Sequence, residues 1–120
     1  MEIDFSSAHL MEWLETKDNS SYDQLLFGVV KMDKEGTVVY YNQQESLITG
    51  VDPVIAKGKN FFIQIAPCTN NFMVAERYKQ DELDESLDYL FTYVTTPTKV
   101  RLRLLKSVAY SHQYMIVHKY

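Results

Sequence analysis

The sequence predicts an α+β domain: an antiparallel sheet with short helices on one face and an N-terminal pair of helices on the other. Three observations predict it. Two β-rich runs, Phe27 to Met32 and Thr37 to Tyr41, are joined by a four-residue loop. Three later runs follow a helical interval, and the first two alternate with the period of two that points successive strand side chains to opposite faces. The helical stretches at the start are too short to stand alone, since an isolated helix needs ~12–15 residues, so they must dock on something else. Strands first paired, then separated by helices, then grouped again make an α+β arrangement rather than a parallel α/β one.

In chain order, Ser7 to Glu15 sets Leu10, Met11 and Leu14 at helical spacing, and Asp18 to Ser21 is a polar break before Tyr22, Leu25 and Leu26 resume. Trp13 is read as a docking side chain, because aromatic residues mostly supply buried area. Asp33-Lys34-Glu35-Gly36 links the first two strands, with Gly where a positive φ is required for the hairpin. Asn42 caps a helix that Gln43, Gln44 and Glu45 begin and Gly50 stops. Asp52-Pro53 starts another, with Asp as cap and Pro at the first helical position, and Gly58 ends it. Asn60 to Ile65 is apolar but short and reads as an irregular helical turn walling a pocket, followed by a longer helix from about Phe72 to Glu82. Strands are expected over Ser86 to Thr95, Thr98 to Val108 and Tyr114 to Lys119, with Thr96-Pro97-Thr98 as the turn between the first two.

The composition narrows the function. A chain of 120 residues is expected to form one domain over residues 1–120. The net charge of -4 comes without a basic stripe, which leaves little counterion release to drive binding to nucleic acid. The start, MEIDFSSAHLMEWLE, lacks the basic opening and apolar core of a signal peptide, and no stretch approaches the ~20 apolar residues of a membrane span. One cysteine allows no internal disulfide. The expectation is a cytoplasmic protein, a monomer or weak dimer. His9, His112 and His118 are scattered and show no metal-ligand spacing with Cys68; His118 reads as solvated surface.

Two stretches concentrate the chemistry: YYNQQESLIT, from Tyr40 to Thr49, and APCT, from Ala66 to Thr69. They bring a phenol, a carboxylic acid and a thiol as candidates for one site. Each has an ordinary role too. Free cysteines are often small buried hydrophobes, and reactive ones need thiolate character from a helix start or a nearby cation. Glu45 stands three residues after Asn42, where a Glu reaches back to the cap's own N–H in a capping box. Tyr41 alone reads as a core strand aromatic, Thr49 as a helix-end residue, and Phe61, Phe62, Phe91 and Tyr93 as core or pocket wall.

Taken together, FGVVKMDKEGTVVYYN (Phe27 to Asn42), ITG (Ile48 to Gly50), GKNFF (Gly58 to Phe62), APCT and TPTKV (Thr96 to Val100) resemble the photoactive yellow protein (xanthopsin) family over nearly the whole length. A few residues are missing between Phe72 and Leu87. The D-x-x-G-x-V-x-x-x-N part is shared by PAS domains generally, whereas YN-x-x-E, GKNFF and APCT in this order are far more specific. The resemblance implies a PAS fold with strand order 2-1-5-4-3 and residues 1–26 as an N-terminal cap. It implies p-coumaric acid (4-hydroxycinnamic acid) bound as a thioester on Cys68, with Tyr41 and a protonated Glu45 donating to its phenolate and Thr49 ordering Tyr41. Val51, Phe61, Tyr93 and Thr95 fall at positions around that group. Val51 stands where the family commonly has an arginine covering the ring. Thr95 replaces a methionine that assists return to the dark state, so slow recovery is expected, Thr being short and stiff at χ1.

The function this resemblance implies is a blue-light photoreceptor, not an enzyme. Trans–cis isomerisation, proton transfer from Glu45 and loosening of the N-terminal cap would carry the signal to a downstream signalling protein. A chromophore-free PAS ligand-binding or interaction module is the alternative. A thiol enzyme using Cys68 lacks a second Cys, a partner His and an oxyanion motif.

Overall fold

The sheet is ordered β2-β1-β5-β4-β3 with every neighbouring pair antiparallel, in a computed structural model that describes residues 3–120. Its strands are β1 (Gly28–Asp33), β2 (Val38–Tyr41), β3 (Leu83–Phe91), β4 (Thr98–Lys106) and β5 (His112–Lys119). The helices are α1 (Leu10–Thr16), α2 (Gln43–Thr49) and α3 (Pro53–Ala56), with 3-10 turns over Asn19–Gln24, Pro67–Thr69 and Ala75–Lys79. Met1 and Glu2 of the expected cap lie outside the described residues.

The β1–β2 hairpin turns as its sequence requires. Asp33 Oδ1 accepts from the amides of Glu35 and Thr37 at 2.9 and 3.0 Å, and Gly36 takes φ 92°. Between Lys31 and Met32 the register slips, so that Lys31 pairs with Tyr40 but Met32 with Val38. In a regular strand, residues three apart point to opposite faces. The bulge brings Val38 and Tyr41 into the same buried cluster and leaves Tyr40 on the other side of the sheet.

Each face of the sheet carries its own core. Val30, Met32, Val100, Leu102, Leu104, Met115 and Val117 pack under the middle of the chain, with Tyr41, Ile48, Phe61, Phe62 and Phe91. Val29, Leu105, Tyr114 and Ile116 pack under the N-terminal segment, with Leu10, Leu14, Tyr22 and Phe27, and Trp13 lies against this second cluster. The short N-terminal helices are therefore held by docking, and the alternation of Val100, Leu102 and Leu104 against Arg101 and Arg103 divides β4 between the two faces.

Three expectations need correction. The helix from about Phe72 to Glu82 is a 3-10 turn over Ala75–Lys79 within a run of turns. Asn71 Oδ1 accepts from the amides of Met73 and Val74 as a cap would, but the ladder that follows is irregular: Glu76 N donates to Asn71 O at 3.0 Å, five residues back, and Arg77 N to Val74 O at 3.1 Å, three back. β3 begins at Leu83 and ends at Phe91, so Tyr93 and Thr95 lie in the connection to β4. The second N-terminal helix is a 3-10 turn ending at Gln24, and Leu26 is exposed. The apolar turn after Asn60 is a single π-helical turn, Phe61–Ile65, whose first amides are held by Asn60 Oδ1 at 3.0 Å.

Candidate functional site

Asn42 wires the site to both cores. Its Oδ1 accepts from Val29 N on β1 at 2.8 Å and from Glu45 N on α2 at 3.0 Å, while Nδ2 donates to the carbonyls of Tyr22 and Phe27. Its own amide is committed to Val29 O at 3.1 Å. The capping box therefore has no free N–H for Glu45 to reach, and the carboxyl turns inward instead.

Glu45 is fully buried, and neither carboxyl oxygen has a hydrogen-bond partner among the described residues. Burial alone pushes its pKa up to about 8, because the charged form would stand unsolvated. Glu45 is thus a neutral acid at pH 7. Tyr41 is buried beside it, with its hydroxyl 2.6 Å from Thr49 Oγ1. Burial first, then the nearby Glu45 carboxyl, hold the Tyr41 phenol above its ordinary range, partly offset by the hydrogen bond to Thr49. Thr49 Oγ1 also lies 3.1 Å from Glu45 O, to which it donates. With that single proton committed, Thr49 accepts from Tyr41; if Tyr41 donates elsewhere, Thr49 can turn its proton to the phenol oxygen instead.

Tyr93 completes the cluster from the β3–β4 connection. Its hydroxyl is buried without a well-aligned partner. Its pKa is raised by burial first, then by the neighbouring Glu45, Tyr41 and Cys68 groups. Phe61 is fully buried and packs edge-on to Phe62 at 5.4 Å between ring centres. Val51 is half-buried against the same core, its amide 3.2 Å from Thr49 Oγ1. Thr95 is exposed, in the connection between β3 and β4.

Cys68 lies in the 3-10 turn Pro67–Thr69 and is partly exposed. Its carbonyl is held by the Tyr89 hydroxyl at 2.5 Å and by Asn71 Nδ2 at 2.9 Å, while Asn71 Nδ2 also lies 2.7 Å from the Tyr89 hydroxyl. Sequence reasoning missed both clamps. The signal was present in β3, where Tyr89 shares its face with Phe91 and so points to the same side as the site. His112 lies across the sheet with Glu15, and among the described residues no group of three or more His, Cys, Asp or Glu side chains could hold a metal ion.

Neutral acids lining a buried region, with no partner for the carboxyl and one phenol, fit an acceptor that carries negative charge. Charge-assisted hydrogen bonds from such donors are about twice as strong as neutral ones. A surface cleft of about 600 Å³ lies elsewhere, lined by Ile3, His9, Trp13 and Lys17 on the N-terminal cap.

An antiparallel sheet in the order 2-1-5-4-3, with helical turns enclosing buried polar groups on one face, is the architecture of a PAS sensory domain. The same fold is found in the PAS domain of an HTR-like protein from Haloarcula marismortui, at TM-score 0.68 over 91% of this chain and 99% of that one, with 13% identity. A photoactive yellow protein from Halochromatium salexigens is 32% identical over 98% of this chain and 97% of its own length. The photoactive yellow protein domain of the sensor histidine kinase Ppr from Rhodospirillum centenum superposes at TM-score 0.82, with 27% identity, over 90% of this chain and 98% of that domain. No protein-family model matches the chain. The chain belongs to the photoactive yellow protein family, whose members are photoreceptors and not enzymes. No helix among the described residues is long and apolar enough to cross a membrane.

Proposed function

We propose that the chain is a blue-light photoreceptor carrying p-coumaric acid as a thioester on Cys68. The observation that carries this reading is the fully buried Glu45 carboxyl with no partner, set beside the phenols of Tyr41 and Tyr93. Bound there, p-coumaric acid supplies the light absorption and a double bond that turns from trans to cis. Cys68 Sγ anchors its carbonyl end, with the turn held by Tyr89 and Asn71. Tyr41 and Glu45 donate to its phenolate oxygen, and Thr49 orders Tyr41.

Glu45 then holds the mobile proton. A group with its pKa near 8 keeps that proton at pH 7 and releases it to a stronger base brought against it. What remains is a buried carboxylate, at an effective cost of several kcal/mol. Asn42 ties the first turn of α2 to the carbonyls of Tyr22 and Phe27, so displacement of α2 also loosens the N-terminal segment. The signal passes to a downstream signalling protein through that loosened face.

Reconstitution tests the attachment. Cys68 Sγ displaces the leaving group of an activated coumaroyl ester, forming the thioester while the thiol proton leaves with the departing group. One acyl mass on the parent, and none on Cys68→Ala, is expected. No adduct on the parent would leave the chain a PAS ligand-binding or interaction module without this chromophore.

A further inference from the structure

Gly28 opens β1 and is buried opposite Val117 of β5. Among the described residues the positive-φ positions are Gly36, Gly50 and Gly58, so the backbone at Gly28 is one that any residue adopts. A glycine within a strand weakens it, and where the backbone does not require one, the usual reason is the close approach of another group. Here that group is Glu45. A Cβ at position 28 would overlap Glu45 Oε1 outright, and would stand 3.1 Å from Cδ and 3.2 Å from Cα of the same residue. The missing side chain of Gly28 is the space that the buried carboxyl occupies.

We propose that Gly28 is the positioning residue for Glu45: the absent Cβ admits the carboxyl to its buried, unsolvated place and so keeps it a neutral proton donor. This rests on the reading of Glu45 as the proton donor, but it concerns an arrangement that exists before any chromophore is attached. Glu45 is forced to share its space whenever position 28 carries a side chain. Because Glu45 Cα also lies close, a methyl group there can be relieved only by swinging the carboxyl aside or by lifting α2 from β1. Either movement admits water to the carboxyl. The ionisable groups that would feel its charge are the phenols of Tyr41 and Tyr93, which stay neutral throughout the range in which a carboxyl titrates.

The test uses the chromophore-free chain with Gly28→Ala, Glu45→Ala and the double variant. Infrared titration follows the carboxylic acid band that Glu45→Ala removes. In the parent that band should persist to about pH 8. In Gly28→Ala it should ionise at least tenfold more readily, a downward shift of at least about one pH unit. Denaturation supplies the second arm: the fall in urea midpoint caused by Gly28→Ala should shrink to less than half when Glu45 is already Ala. Should Gly28→Ala fail to fold alone, folding of the double variant supports the proposal, and failure of both overturns it. An unchanged titration, or an equal midpoint loss in both backgrounds, also overturns it. Failure of coumaroyl attachment to the parent would sink the photoreceptor reading and leave these outcomes untouched.

Discussion

The two faces of the sheet differ in how they treat their buried charged and acidic groups. Under the N-terminal segment most buried polar side chains are answered from within, with His112 Nδ1, 3.5 Å from Glu15, the exception. Arg103, buried in β4, grips both carboxylate oxygens of Asp84 at 2.8 and 2.9 Å and donates to the carbonyls of Phe5 and Ser7 at 2.9 and 2.8 Å. The Tyr22 hydroxyl bonds to Leu14 O, the Tyr114 hydroxyl to Glu15, and Lys31 to Asn19 Oδ1 at 2.9 Å. On the other face the fully buried Glu45 carboxyl is left without a partner among the described residues, beside the buried hydroxyl of half-buried Tyr93. Unsatisfied buried polar groups cost about 1–3 kcal/mol each, so a buried carboxyl with neither oxygen paired marks its face as the place for a ligand.

The largest expected effect comes from breaking this contrast at Glu45. Below about pH 4.5 the carboxyl is protonated in both the folded and the unfolded chain. Between about 4.5 and about 8 the unfolded chain ionises it while the folded chain does not, so stability falls as the pH rises, and the loss is complete above about 8. The full difference is on the order of 5 kcal/mol. Urea midpoints of the chromophore-free protein should therefore decline across this window for the parent, and Glu45→Gln should lack that component. Parallel curves for the two proteins would mean that Glu45 is solvated.

A smaller effect is expected on the satisfied face. Arg103→Lys keeps the charge but cannot reproduce the paired grip on Asp84 together with both carbonyls, and should cost about 2 kcal/mol. Hydrogen exchange locates the loss. Amides of residues 5–16 should exchange faster, while those of α2 remain as protected as in the parent. Equal loosening of both regions would show that the two faces do not act as separate units.

These particular residues also show how far the sequence carries. The strands were legible because alternation is a local property, and α2 because Asn42 and Gly50 bracket it with capping chemistry. The 71–82 segment was not, since its backbone bonds run five residues back at Glu76 and three back at Arg77 in place of a regular ladder, and that choice leaves no mark on apolar spacing. The candidate site divides in the same way. Tyr41, Glu45, Thr49 and Cys68 stand in recognisable motifs, and the two possible roles of Glu45 were separable only once the Asn42 amide was found bonded to Val29. Gly28 was invisible as a site residue: its meaning lies in a contact across 17 positions of chain, between a strand and a helix whose relative placement no local pattern encodes.

The central claim is that Glu45 is a neutral acid that gives up its proton when the protein is illuminated, and infrared difference spectroscopy of the reconstituted protein tests it most directly. The account predicts that light bleaches a carboxylic acid band, that a carboxylate band appears with it, and that both signals are missing from Glu45→Gln. A spectrum with no carboxylic acid loss, or one in which the loss survives in Glu45→Gln, would contradict it.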